Sequence, residues 1–235
     1  MKIGVFCHIN GNLQRLENVF HALDAEKVNR IFCLGNLISP LERIETDTIG
    51  NDGVVLDKNS IKCWDLFKRY EEYLENLRGK KQTENSIYAF RGKNELDFLL
   101  REESRNRTNS RFYNEILNHW DVRMDLVGKK DSRIYIFNTD PENIDEHLTV
   151  HRVMTLDETI NKKDEAVERE KIKDYVCFFG GCNSQSIYEV DGKGFVHIFK
   201  RDVQLCPGRS YIISPSPKDG GYAIFDGYSI SLYSL

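Results

Sequence analysis

The sequence is most easily bounded by what it lacks. No apolar run approaches the ~18 residues of a membrane-spanning helix, and Ile3 opens a strand-like run without the basic region, apolar core and cleavage site of a secretion signal. None of the six cysteines (7, 33, 63, 177, 182 and 206) forms a C-x-x-C pair, which leaves a thiolate zinc site without its usual spacing. Cys7, Cys33 and Cys177 lie in apolar runs and read as small buried hydrophobes. Together these absences predict a reduced, cytoplasmic protein. Charge of one sign is also missing: 33 basic against 37 acidic residues leave a net charge of −4, with no bias toward nucleic acid or an anionic membrane. The glycine-rich turns fit neither a P-loop nor a dinucleotide fingerprint. His21, His119, His147, His151 and His197 share no metal-site spacing.

What is present is an alternation of buried strands and helices. Ile3 to Cys7 is an apolar run that stops at His8 and Asn10 and turns at Gly11-Asn12. A helix follows at once, with Leu13, Leu16, Phe20 and Leu23 on one face. Arg30–Leu34 and Ser86–Phe90 repeat the strand pattern, ending in Gly35-Asn36 and Arg91-Gly-Lys-Asn-Glu95. Residues 39–60 read as irregular, and a helix with Trp64, Phe67, Leu74 and Leu77 on one face ends at Arg78-Gly79. Leu96, Leu99 and Leu100 open another helix, Arg101–Arg111 reads as a solvated loop or helix link, and Tyr113 to Trp120 as a further helix.

Beyond Trp120 the period changes from helical to alternating. Residues 122–127 and 133–137 read as a hairpin, 175–179 as a buried strand, and the remainder as short strands joined by glycine-bearing turns. The charged run 157–173 reads as an exposed helix or link. With no repeat and no low-complexity linker, one α/β domain over residues 1–235 with two sheets is the expectation. Five strands end in small polar or glycine-bearing turns: His8/Asn10, Asn36, Lys93/Asn94, Asn138 and Gly181/Asn183.

These turns resemble, in order and spacing, those of the calcineurin-like metallophosphoesterases, nearest the YfcE-like phosphodiesterase branch. Lys2 to Leu13 is similar to the opening strand with its D-x-H-G-N turn, and Leu34-Gly-Asn36 to the L-G-D segment. Arg91-Gly-Lys-Asn-Glu95 is similar to G-N-H-[DE], Phe179-Gly-Gly-Cys-Asn183 to G-H-T-H, and Ile213-Ser-Pro-Ser216 to the late N-P-G-S turn. The resemblance implies a four-layer α/β/β/α sandwich, two mixed β-sheets flanked by helices, with extra helical length at about 40–85. It also implies two divalent metals ~3.5–4 Å apart that clamp a phosphoryl group and activate water.

The same correspondence removes the ligands for those metals. His8 stands for the first aspartate, Asn10 for the following histidine, Asn36 for the bridging aspartate, Lys93 for the metal-binding asparagine and Asn94 for the catalytic histidine. Asn138, Gly181 and Asn183 stand where later histidines are expected. A neutral amide cannot offset the repulsion of two cations, and Lys93 adds a third positive charge; like charges within ~4 Å cost several kcal/mol in a low-dielectric cleft. No catalytic residue and no cofactor is therefore expected, the alternative being one divalent metal such as manganese held by His8 and Glu95. Lys93, Asn94, Asn138 and Asn183 are the expected ligand-binding residues, suited to an anion or a phosphorylated small molecule. The leading expectation is a binding or scaffolding protein with a protein partner, and the alternatives are a divergent metal-dependent phosphodiesterase or phosphatase, or a sensor of a phosphorylated small molecule. No nucleic-acid or membrane partner is expected.

Overall fold

The structure is a computed structural model that describes residues 2–28, 30–40, 56–78, 87–106, 108, 110–119, 123–127, 133–137, 175–180, 185–190, 196–215 and 220–235. Strand β1 (Ile3–Cys7) is buried at every position, as an uninterrupted apolar run requires. It lies between β2 (Arg30–Cys33), parallel to it, and β11 (Gly221–Phe225), antiparallel to it, with Ile3 opposite Phe225. Adding β3 (Ile87–Ala89), β12 (Ser229–Ser234) and β9 (Val203–Gln204) gives the first sheet, in the order β3-β2-β1-β11-β12-β9. The second contains β4 (Arg123–Val127), β5 (Arg133–Phe137), β6 (Tyr175–Phe179), β7 (Ser186–Val190), β8 (Val196–Phe199) and β10 (Ser210–Ser214), in the order β4-β5-β6-β10-β7-β8.

The two-residue alternation of β1 divides the core. Ile3, Val5 and Cys7 pack between the sheets with Ile134, Val176, Phe178, Ile187, Tyr211 and Ile213 of the second sheet. Phe6 faces the other way, into a second core shared with helices α1 (Leu13–Ala25), α2 (Lys58–Arg78), α3 (Lys93–Ser104) and α4 (Arg111–His119). Gly4 is forced on that face, because a Cβ there would stand 2.6 Å from a Leu23 methyl. Gln185 ties the sheets together at one end, its amide donating to the carbonyls of Pro215 and Tyr233, each at 2.8 Å.

The α/β architecture with two mixed sheets is the expected one. All four described helices pack on the first sheet, and a helical layer on the other side is not among the described residues. Helix α2 falls within the expected insertion and covers its own domain. Cys63, Phe67, Tyr70 and Leu74, one or two turns apart, are all buried. Tyr70 stacks on Phe20 of α1 with centroids 3.9 Å apart, and its hydroxyl donates to Asp24. Each such side chain contributes ~1.5–3 kcal/mol of burial, enough to hold the helix down without a partner.

Two sequence expectations need correction, and one strand was missed. Helix α3 continues to Ser104, so the stretch from Arg101 is not a solvated link at its start. Glu102 is fully buried there, with Arg101 Nε 3.2 Å from its Oε1. Helix α2 starts inside the stretch read as irregular, because Asp57 caps it: its Oδ1 accepts the N–H of Asn59 and of Ser60, each at 2.9 Å. The two-residue β9 is too short to show a period. The hairpin strands and the later strands stand where expected, whereas residues 157–173 lie outside the described residues. No helix among the described residues is long and apolar enough to cross a membrane.

Candidate functional site

The parallel strands β1, β2 and β3 finish side by side, joined past their ends by Leu34 N–H to Phe6 O (2.7 Å) and Phe90 N–H to Cys33 O (2.9 Å). The turns that follow are therefore adjacent, at the end of the sheet where open α/β folds bind ligands. Their backbone is unusual. His8, Asn10 and Asn36 have φ of 58°, 52° and 54°, the left-handed region that side chains other than Asn, Asp and His seldom occupy. The conformation is held from outside: Asn10 N–H donates to Asn36 O at 2.7 Å, and Gly11 N–H to Leu37 O at 2.9 Å. Three such residues stand at neighbouring strand ends.

The side chains close on one another. Asn94, the second residue of α3, gives its Nδ2 to Asn10 Oδ1 (3.0 Å) and to Ile38 O (2.7 Å). Its backbone N–H goes to Asn36 Oδ1 at 3.1 Å. Gly92 begins the helix with no side chain to cap it, so Asn36 supplies that cap from the neighbouring turn. Gly92 is required for the approach, since a Cβ there would stand 2.5 Å from both the N and the Oδ1 of Asn36.

Glu95 lies beneath this cluster, fully buried. Its Oε2 accepts the N–H of Asn36 and of Gly92, both at 2.8 Å, and its Oε1 the N–H of Leu37 (2.8 Å) and of Ile38 (3.2 Å). Burial pushes its carboxyl above the usual carboxylate range, and the amides of Ile38, Asn36 and Gly92 pull it part of the way back. Nearby, burial and then the charge of Glu95 push the Cys33 thiol well up, so it stays protonated.

The sequence-derived residues thus divide. His8, Asn10, Asn36, Asn94 and Glu95 come together at one place. His8 is buried, with Nδ1 3.7 Å from the Cys7 sulfur. Lys93 is the first residue of α3, half-buried at the rim. Asn138 and Asn183, with Gly181, Cys182 and Ser216, lie outside the described residues. No group of three or more His, Cys, Asp or Glu is placed to hold a metal ion among the described residues.

Sequence reading missed three participants. Arg15, in the first turn of α1, gives Nη1 to His8 O at 2.9 Å and lies over Gly220, where a Cβ would meet its Cδ and Nε at 2.5 Å. A cation there opposes the helix dipole, which is the signal that could have singled it out. Ser39 Oγ donates to Asn10 O at 3.2 Å and fills the space above Gly11, and Ser60 accepts Ser39 N–H at 2.8 Å. Isolated serines carry no comparable signal.

No family model and no curated protein matches this sequence. Solved structures do match. A metallophosphoesterase from Sphaerobacter thermophilus is similar over all of this chain and 88% of its own, with 16% identity and a TM-score of 0.59. The phosphoesterase YfcE from E. coli is similar over 96% of this chain and 88% of its own (12% identity, TM-score 0.47). An archaeal phosphodiesterase is similar over 96% and 93% (12% identity, TM-score 0.42). The fold assignment rests on the first: the chain has the metallophosphoesterase fold.

Proposed function

We propose that this protein keeps the metallophosphoesterase frame without its two-metal hydrolysis and works as a binding or scaffolding protein. One observation carries the reading. The polar groups at the strand ends are spent on each other, Asn94 on Asn10, Ile38 and Asn36, and Glu95 on four backbone amides. This donor set does not fit a metal pair. Among the described residues no carboxylate is available to bridge two cations, because the oxygen atoms of Glu95 face backbone N–H groups. Asn10 and Asn36 already use their carbonyl oxygens as acceptors, and Lys93 brings a positive charge to the rim. The hydrogen bonds among the amides do the mechanical work of fastening three turns that metal coordination does elsewhere.

A second reading is favoured by the two cations at the site. Arg15 and Lys93 each lie in the first turn of a helix whose N-terminus already attracts anions. A phosphorylated small molecule would be held there and not cleaved.

Metal analysis of the purified protein, paired with an aryl-phosphodiester assay in manganese, tests the first reading. The expected result is no stoichiometric metal and no turnover. Two equivalents of manganese with turnover abolished in Asn36→Ala would refute it. One equivalent, with turnover lost in His8→Ala, would instead establish a one-metal phosphodiesterase. For the second reading, a thermal-shift screen with nucleotides and sugar phosphates is expected to give stabilisation that Arg15→Ala and Lys93→Ala each remove.

A further inference from the structure

We infer that Asp57, Ser60 and Ser39 are positioning residues for the amide cluster, through which the first turn of α2 sets the geometry of Asn94 and Asn10. The inference rests on the proposed metal-free reading, in which that cluster is the working site.

The coupling passes through one peptide group. Ile38 C=O and Ser39 N–H belong to the same planar unit, which can only move as a whole. On one side Ile38 O accepts Asn94 Nδ2 at 2.7 Å; on the other Ser39 N–H donates to Ser60 Oγ at 2.8 Å. Rotation of that unit changes the geometry of both bonds at once. Ser60 is fully buried, and its hydroxyl proton goes to Asp57 Oδ2 at 2.5 Å, so its lone pairs are turned toward Ser39. Asp57 is fixed in turn as the N-cap of α2. A second route runs beside the first, from Ser39 Oγ to Asn10 O at 3.2 Å, and Asn10 carries the Oδ1 that Asn94 uses. The helix cap and the site are thus two ends of one hydrogen-bonded run with no solvent step between.

The expected consequence is linkage. Whatever shifts the cap of α2 shifts the amide cluster, and a ligand that reorients Asn94 changes the hold on α2. A merely structural cap would stabilise α2 and leave the cluster untouched.

The test reads the side-chain amide signals of Asn10 and Asn94 by NMR, together with hydrogen exchange at Gly11 N–H. Ser60→Ala is expected to move both side-chain signals and to speed Gly11 exchange about tenfold. Ser60→Thr, which keeps the hydroxyl, is expected to return the signals toward wild type. Ser110→Ala is the control, since it removes a comparable buried cap, the acceptor of Tyr113 N–H at 3.0 Å in α4. Equal spectra at Asn10 and Asn94 for Ser60→Ala and Ser110→Ala overturn the inference. Should Ser60→Ala unfold the chain, Asp57→Asn and Ser39→Ala carry the same comparison. Metal content measured on the same samples separates the two claims. Shifted signals in metal-loaded protein keep the coupling and sink the proposed function, whereas unmoved signals in metal-free protein do the reverse.

Discussion

Two regions of this molecule bury polar side chains, and they treat them differently. At the strand ends, each of the oxygens of Glu95, Asn10 Oδ1 and Asn36 Oδ1 accepts a hydrogen bond. In the helical layer, Glu102 Oε2 and Trp64 Nε1 are buried with no hydrogen-bond partner among the described residues. Trp64 meets Phe112 edge-on at 5.1 Å, Phe112 meets Phe98 at 5.2 Å, and the other oxygen of Glu102 pairs with Arg101. A satisfied polar set rigidifies a unique arrangement, whereas an orphaned group costs its full desolvation. The helical layer tolerates that cost because apolar contact holds it. The strand-end turns have left-handed backbone to restrain, and beside the buried Ile9, Leu37 and Ile38 they carry this hydrogen-bonded set.

The contrast is broken most strongly by Glu95→Ala. Four backbone N–H groups would lose their acceptor in a buried place, an expected loss of about 4 kcal/mol, read as a fall in the urea midpoint with unchanged slope. Asn94→Ala should cost about 2 kcal/mol, because it strands Asn10 Oδ1 and Ile38 O together. The same urea titration measures it, and a loss under half that size would mean the cluster is not what holds the turns.

Asp57 gives a pH signature. Burial pushes its carboxyl up, but hydrogen bonds from Ser60 and Asn59 outweigh that push and hold it below the usual carboxylate range. A folded-state pKa below the unfolded one means that the unfolded chain binds the proton more readily. Its contribution is then complete above the unfolded value and disappears as pH falls through the folded one. The stability gap between wild type and Asp57→Asn should accordingly be widest at pH 7 and narrow by pH 3; a gap constant across that range would contradict the assignment. The smallest effect sharpens the comparison from the other side. Glu102→Met removes a carboxylate whose one oxygen has no partner among the described residues and whose other pairs with the partly exposed Arg101, and should change stability by no more than about 1 kcal/mol, in either direction. A loss as large as that of Glu95→Ala would erase the distinction between the two regions.

Much of the frame was legible in the residues because strands such as Ile3–Cys7 and Tyr175–Phe179 are continuous apolar runs, and Ile3–Cys7 and Val176–Phe178 are indeed buried. The turns after them were legible as a set, in order and spacing. What the side chains do there was not. Glu95 reads as a carboxylate near a site, and only its four amide partners give it a structural role. Asn36 reads as a lost ligand, yet it caps a helix that starts far along the chain. Asp57, Ser60 and Ser39 were illegible because their significance is a matter of contact across loops, to which periodicity and composition are blind. The extension of α3 over Arg101–Ser104 was missed because charged residues mask a buried Glu102.

The pairing of Ile3 with Phe225 across β1 and β11 has a consequence for how the polypeptide matures. On the ribosome, β1, β2 and β3 emerge early and can assemble with their helices, but one edge of β1 stays open until the last hairpin is translated. Through that interval an apolar strand presents unpaired amides and carbonyls, the kind of surface that recruits holding chaperones or aggregates. Removal of β11 and β12 would therefore compromise β1, a strand more than 200 residues earlier in the sequence.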